Sequence, residues 1–231
     1  MNIKTEMNKY SKQKFCSFTF KSMTWCKIIN KKKANGLPTT AQRQAITPKQ
    51  PFYNEDHKCV GIITGKQSGI TVIDCDTENA YEILTSIYSE LKKYYTVKTN
   101  KGYHIYCKYT DQLSTTIEAL TKTDILNDGS IVYAPPTSYQ LPDGTVAEYK
   151  YIGGSVMDFP EFLIQKLKEL KKAKEPDTKK TVKPTTTPTP STLTTIRPQD
   201  ENLLEYFQLI VDAKTKEEDK YYNNRMKWIK I

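Results

Sequence analysis

Apolar positions cluster most densely between residues 59 and 134, and their spacing there changes from strand-like to helix-like and back. Cys59-Val-Gly-Ile-Ile-Thr64 and Ile70-Thr-Val-Ile-Asp-Cys75 are β-branched runs, and the polar segment Gly65-Lys-Gln-Ser-Gly69 between them predicts a tight turn. Ala80, Ile83, Leu84, Ile87, Leu91 and Tyr94 recur at helical spacing and predict one amphipathic helix. Tyr95–Lys98 and Tyr103–Cys107 read as strands around the Asn100-Lys-Gly102 turn, and Ile131–Ala134 as a strand stopped by Pro135-Pro136. Pro142-Asp-Gly144 marks a turn between Tyr139 and a strand from Ala147 to Tyr151. Beyond it, Phe162, Leu163, Leu167 and Leu170 form the apolar face of a helix near Pro160. The expectation is an α+β domain, a mixed or antiparallel sheet with one or two packed helices.

The pattern fails between residues 174 and 198, a Thr/Pro/Lys tract that cannot bury enough apolar area to offset its ordering entropy. The chain therefore divides into a basic N-terminal arm (1–30), a globular region (31–172), a linker (173–199) and an incomplete helical segment (200–231). In the last, Leu203, Leu204, Phe207, Ile210 and Val211 keep helical spacing. A mean hydropathy of −0.65 agrees with part of the chain lying outside any core. The N-terminus has no apolar stretch of the signal-peptide kind, and no apolar run approaches the ~18 residues of a membrane span. The five scattered cysteines fit no common zinc template and read as reduced, small buried hydrophobes; the expected setting is intracellular and soluble.

Charge is unevenly divided. Residues 1–49 carry 11 Lys and Arg against one acid, whereas residues 50–170 carry 11 against 16. A basic end joined to an acidic centre suits a protein that holds a polyanion with one part and divalent cations with another. Tyr10, Phe15, Phe18, Phe20 and Trp25, interleaved among lysines, read equally as core or as stacking platforms for bases.

Within the acidic centre, strand alternation puts Asp74 and Asp76 on one face and Cys75 on the other. Carboxylates so placed repel unless cations lie between them, and hard oxygen ligands suit magnesium or manganese; the plain alternative is a solvated turn. His104 shares a face with Tyr106, opposite Tyr103, Ile105 and Cys107, which read as core. That leaves the imidazole on a polar face, either as a phosphate donor or as a surface histidine. Asp124 stands ahead of the 131–134 strand as a candidate third carboxylate, while Asp128-Gly129 reads as a turn. Gly65, Lys66, Ser68 and Gly69 form a loop able to approach phosphate, though it is not a Walker A motif.

The order of these signals carries more than any one of them. Thr64-Gly-Lys-x-Ser-Gly69, then Asp74-x-Asp76, Lys101-Gly-x-His104-x-Tyr106, Asp124, Ala134-Pro-Pro136 and Gly144-x-x-x-x-Tyr149-x-Tyr151 resemble the bifunctional primase–polymerase domain of the archaeo-eukaryotic primase superfamily. The resemblance covers about residues 55–153. It implies that Asp74, Asp76 and Asp124 bind Mg2+ or Mn2+ in a two-metal site and that His104 contacts the phosphates of the incoming nucleotide. Thr64, Gly65, Lys66, Ser68, Gly69 and Lys101 would line the nucleotide pocket. Leu126 departs from an arginine often found there, and Asn127 and Ser130 stand in place of family glycines. The last segment resembles the start of the helical domain that follows such primases in virus-type primase–helicases, which points to large DNA viruses or mobile elements.

The resulting expectation is a template-dependent DNA primase/polymerase acting in replication. Its partners would be single-stranded DNA template, NTP or dNTP substrates and a helicase in cis or in trans. The alternatives are a catalytically inactive single-stranded nucleic-acid-binding module and a metal-dependent nuclease.

Overall fold

The computed structural model describes residues 2–26, 28–29 and 31–174. Residues 175–231, which contain most of the expected linker and all of the expected helical segment, lie outside the described residues, as does any helicase contact expected of them.

The centre is a six-stranded antiparallel sheet. Its strands are β5 (Ile70–Cys75), β6 (Tyr95–Lys98), β7 (Tyr103–Lys108), β8 (Thr116–Leu120), β9 (Thr123–Leu126) and β13 (Lys150–Gly153), in the order β13-β6-β7-β5-β9-β8. β1 (Ser17–Phe20), β4 (Cys59–Ile63) and β10 (Ile131–Ala134) make a second sheet, antiparallel throughout, with β4 in the middle. Two hairpins complete the strands, β2 (Ser22–Cys26) with β3 (Lys31–Asn35) and β11 (Ser138–Gln140) with β12 (Val146–Glu148). The fold is α+β, with helices α1 (Ile3–Lys12), α2 (Thr40–Ala45), α3 (Glu78–Ile87) and α4 (Glu161–Lys174).

The inner strands β5, β6 and β7 of the central sheet are buried on both faces, and the period-two alternation sorts their side chains between two cores. Val72, Val97 and Tyr106 join Phe18, Phe20, Val60, Ile62 and Val132 of the second sheet in one cluster. Ile73, Cys75, Ile105, Cys107 and Ile125 face the other way and meet Leu84 of α3 and Leu163 and Ile164 of α4. The acidic strand end is therefore held between two packed layers.

The structure corrects the expectation of an N-terminal arm. Met7, Tyr10, Phe15, Phe18 and Phe20 are almost wholly buried, and β1 pairs with β4 along its length. The described lysines of this region lie on the outside of elements whose apolar residues are core, so Tyr10, Phe15, Phe18 and Phe20 are not open stacking platforms, while Trp25 is half-buried. The helix expected to run to Tyr94 ends sooner. α3 stops at Ile87, and Leu91 sits in a short 3-10 helix, Ser89–Lys93, that turns the chain into β6. α3 starts where the Thr77 hydroxyl accepts the Ala80 N–H at 3.1 Å, so the helix cap follows Asp76 directly. No helix among the described residues is long and apolar enough to cross a membrane.

Candidate active site

β7, β5 and β9 are neighbours, and their register sets three polar residues in one row: Asp74 lies opposite His104 on one side and opposite Asp124 on the other. Directly opposed residues project to the same face with Cβ atoms ~4.5–5.5 Å apart. Asp124 is assigned to no element by the apolar pattern of the sequence. It is in fact the second residue of β9, and pairing with β5 is what brings it to Asp74. Asp76 follows the end of β5, its N–H donating to the Lys122 carbonyl at 2.9 Å.

Burial pushes the Asp74 carboxyl up to about 6 against the opposing pull of the Lys32 ammonium. The Asp76 carboxyl is raised by burial and then by the charges of Asp74 and Asp124, so Asp76 feels both of the other acids. All three offer hard oxygen donors, and the repulsion at Asp76 is what a divalent cation would relieve, so the donor set fits such an ion chemically. Among the described residues no three His, Cys, Asp or Glu side chains are drawn close enough to coordinate one ion as they stand.

His104 is not on a solvated face. It is 3% exposed, because the β7 strand that carries it is covered on both sides. Burial, and secondarily the charge of Lys32, push the imidazole down to about 3. Its Nε2 stands 3.4 Å from Asp74 Oδ1, and with a neutral ring this is a polar contact rather than an ion pair. His104 Nδ1 is buried without a hydrogen-bond partner, which a ligand could supply.

Lys101 belongs to the β6–β7 turn, which packs onto the same strand end. A Cβ at Gly102 would be driven into the Cys75 carbonyl oxygen and the backbone of Asp76 and Thr77, so only glycine admits this approach. The turn is closed by Thr99, whose N–H donates to Gly102 O and whose hydroxyl accepts the Gly102 N–H.

The Thr64–Gly69 loop is elsewhere. It precedes Ile70, at the opposite end of β5 from Asp74, roughly 13 Å along a strand that rises ~3.3 Å per residue. Its polar groups are taken up by the fold. The Thr64 hydroxyl donates to Asn127 O, Lys66 N–H donates to Asp128 Oδ1, and the Ser68 hydroxyl, 5% exposed, accepts the Cys16 N–H. Gly65 has φ +92° and lies against the Asp128 backbone. The structure thus brings Asp74, Asp76, Asp124, His104 and the Lys101 turn together and leaves Thr64, Gly65, Lys66, Ser68 and Gly69 apart from them.

Two further residues act on the row, Lys32 through its charge and Tyr149 through the His104 ring. Lys32, on β3, donates from Nζ to the Tyr149 hydroxyl at 2.7 Å, with the ammonium 5.3 Å from the Tyr149 ring centre and 5.6 Å from that of Tyr133. Tyr149 in turn lies 5.8 Å from the His104 ring. In the sequence Tyr149 stands out only as part of the Gly144–Tyr151 pattern. Nothing in Lys31-Lys32-Lys33 marks its middle member.

The buried antiparallel sheet thus sets His104, Asp74 and Asp124 in one row, with Asp76 following at the end of β5. Residues 28–162 match the family described as bifunctional DNA primase/polymerase, N-terminal, and the chain belongs to that family. No curated protein matches the chain.

Proposed function

We propose that the chain is a nucleotidyltransferase that extends a strand on a single-stranded DNA template, with Asp74, Asp76 and Asp124 holding Mg2+ or Mn2+. The row His104–Asp74–Asp124, with Asp76 beside it, in a chain of the primase/polymerase family, carries this reading. Bound there, divalent ions would activate the attacking 3′-hydroxyl and neutralise charge on the triphosphate and the departing pyrophosphate. The protein's own part is positioning. β5 and β9 present Asp74 and Asp124 from rigid, doubly packed strands, so little reorganisation accompanies binding. His104, held neutral, contributes a ring N–H donor to a phosphate oxygen or to Asp74 rather than a full charge. The Lys101 turn borders the same end and offers a mobile cation to the nucleotide. In replication this activity would make or extend primers.

The test is nucleotide incorporation on single-stranded DNA with Mn2+ or Mg2+, with and without a primer. Template-directed extension by the wild type that Asp74→Ala abolishes supports the reading. Binding without incorporation would identify an inactive nucleic-acid-binding module instead. Metal-dependent shortening of DNA that needs no nucleotide would identify a nuclease.

A further inference from the structure

We propose that Lys32 is a substrate-binding residue of this site, its ammonium receiving phosphate oxygens of the incoming nucleoside triphosphate from the β2–β3 hairpin. The inference rests on the nucleotidyl-transfer reading above and adds to it a residue from outside the acidic sheet.

The hairpin register separates three consecutive lysines. Lys32 pairs with Trp25, whereas Lys31 pairs with Cys26 and Lys33 with Thr24, so the middle lysine projects to the face opposite its neighbours. That face meets the site. The Lys32 ammonium is hydrogen-bonded to Tyr149 and lies near the ring faces of Tyr133 and Tyr149, and Tyr149 neighbours His104, which touches Asp74. Lysine, phenol, imidazole and carboxylate thus form one continuous chain of contacts.

The residue as a whole is solvent-exposed although its charged end is crowded. Crowding lowers the pKa of the ammonium, while the charges of Asp74 and Asp76 raise it. An ammonium has three N–H donors, and Tyr149 takes one. The arrangement is that of a cation steadied at the mouth of a site and still open to a ligand. A positive charge beside carboxylates that bind cations would oppose that binding, unless the substrate entering with the cations is itself a polyanion. A triphosphate meets this condition, and a compact ammonium on a flexible stem is suited to its oxygens. Tyr149 acts through Lys32 and is a positioning residue.

The experiment uses the full chain and compares wild type with Lys32→Met, which keeps the stem and removes the charge, Lys32→Arg, which keeps the charge, and Tyr149→Phe. Primer extension with Mn2+ gives KM for dATP and kcat; single-stranded DNA affinity and melting temperature are measured on the same samples. Lys32→Met should raise KM about tenfold to a hundredfold, as expected for losing a charge-assisted contact, with DNA affinity and melting temperature unchanged. Lys32→Arg should recover most of the loss, and Tyr149→Phe should raise KM by a smaller factor. Wild-type extension with an unaltered KM in Lys32→Met overturns the role of Lys32 and leaves nucleotidyl transfer standing. Equal losses in Lys32→Met and Lys32→Arg, accompanied by a lower melting temperature, also overturn it, since they mark a structural lysine. A wild type that neither extends a primer nor binds dATP overturns both.

Discussion

Asp74 and Asp124 are opposed residues of β5 and β9, so a carboxylate pair far apart in sequence is fixed by a backbone ladder rather than by flexible loops. Under the proposed function a divalent cation is held by these two carboxylates together with Asp76.

Mn2+ should therefore raise the melting temperature of the wild type, by the equivalent of about 2.7 kcal/mol at a hundred times its dissociation constant. Asp74→Asn and Asp124→Asn should lose most of this rise. Without metal, Asp74→Asn should melt no lower than the wild type, because burial already opposes the Asp74 charge. Differential scanning fluorimetry over a Mn2+ series measures all three.

Asp74→Ala and Asp124→Ala should each lower incorporation by at least about a hundredfold, on the scale of losing electrostatic stabilisation at a reacting centre. Their affinity for single-stranded DNA should change little, since phosphate contacts along a strand are spread over many groups. Single-turnover extension and fluorescence anisotropy separate the two quantities.

Ser68→Ala should cost about 1–3 kcal/mol of stability, because the Cys16 N–H would be left buried without its acceptor. It should leave KM for nucleotide unchanged, as should Lys66→Ala, since their loop lies at the far end of β5 from Asp74. A rise in KM for Lys66→Ala, measured in steady-state extension, would return the loop to the nucleotide pocket.

Gly102→Ala should destabilise the protein by about 1–3 kcal/mol, the range for forcing extra volume into a packed site. Because the displaced backbone is that of Cys75 and Asp76, incorporation should fall more steeply than stability alone accounts for. Urea unfolding and extension assays on one preparation compare the two losses.

Phe15→Ala should cost about 3–5 kcal/mol, as for other buried aromatics, and deleting residues 2–20 should prevent folding. A deletion variant that kept a cooperative melt would restore the arm reading. Circular dichroism thermal scans decide between them.

The strands β4 to β7, the start of α3 though not its end, the turn chemistry between them, the Asp74-x-Asp76 pair and the likeness to the primase/polymerase family are all legible in the amino-acid sequence. Each of these is written in neighbouring residues, as β-branched runs, glycine turns or short ordered motifs. Tertiary structure alone decided that β1 belongs to the core, that Asp124 rides on a strand, that His104 is covered and neutral, and that the Thr64–Gly69 loop points away from the acids. It also singled out Lys32 from a run of three. The physical reason is that cross-strand register joins residues distant in the chain and leaves no periodic trace in either segment. A strand buried on both faces, such as β7, hides the alternation that would otherwise mark its inner side, and a lysine run looks equally solvated whichever member turns inward.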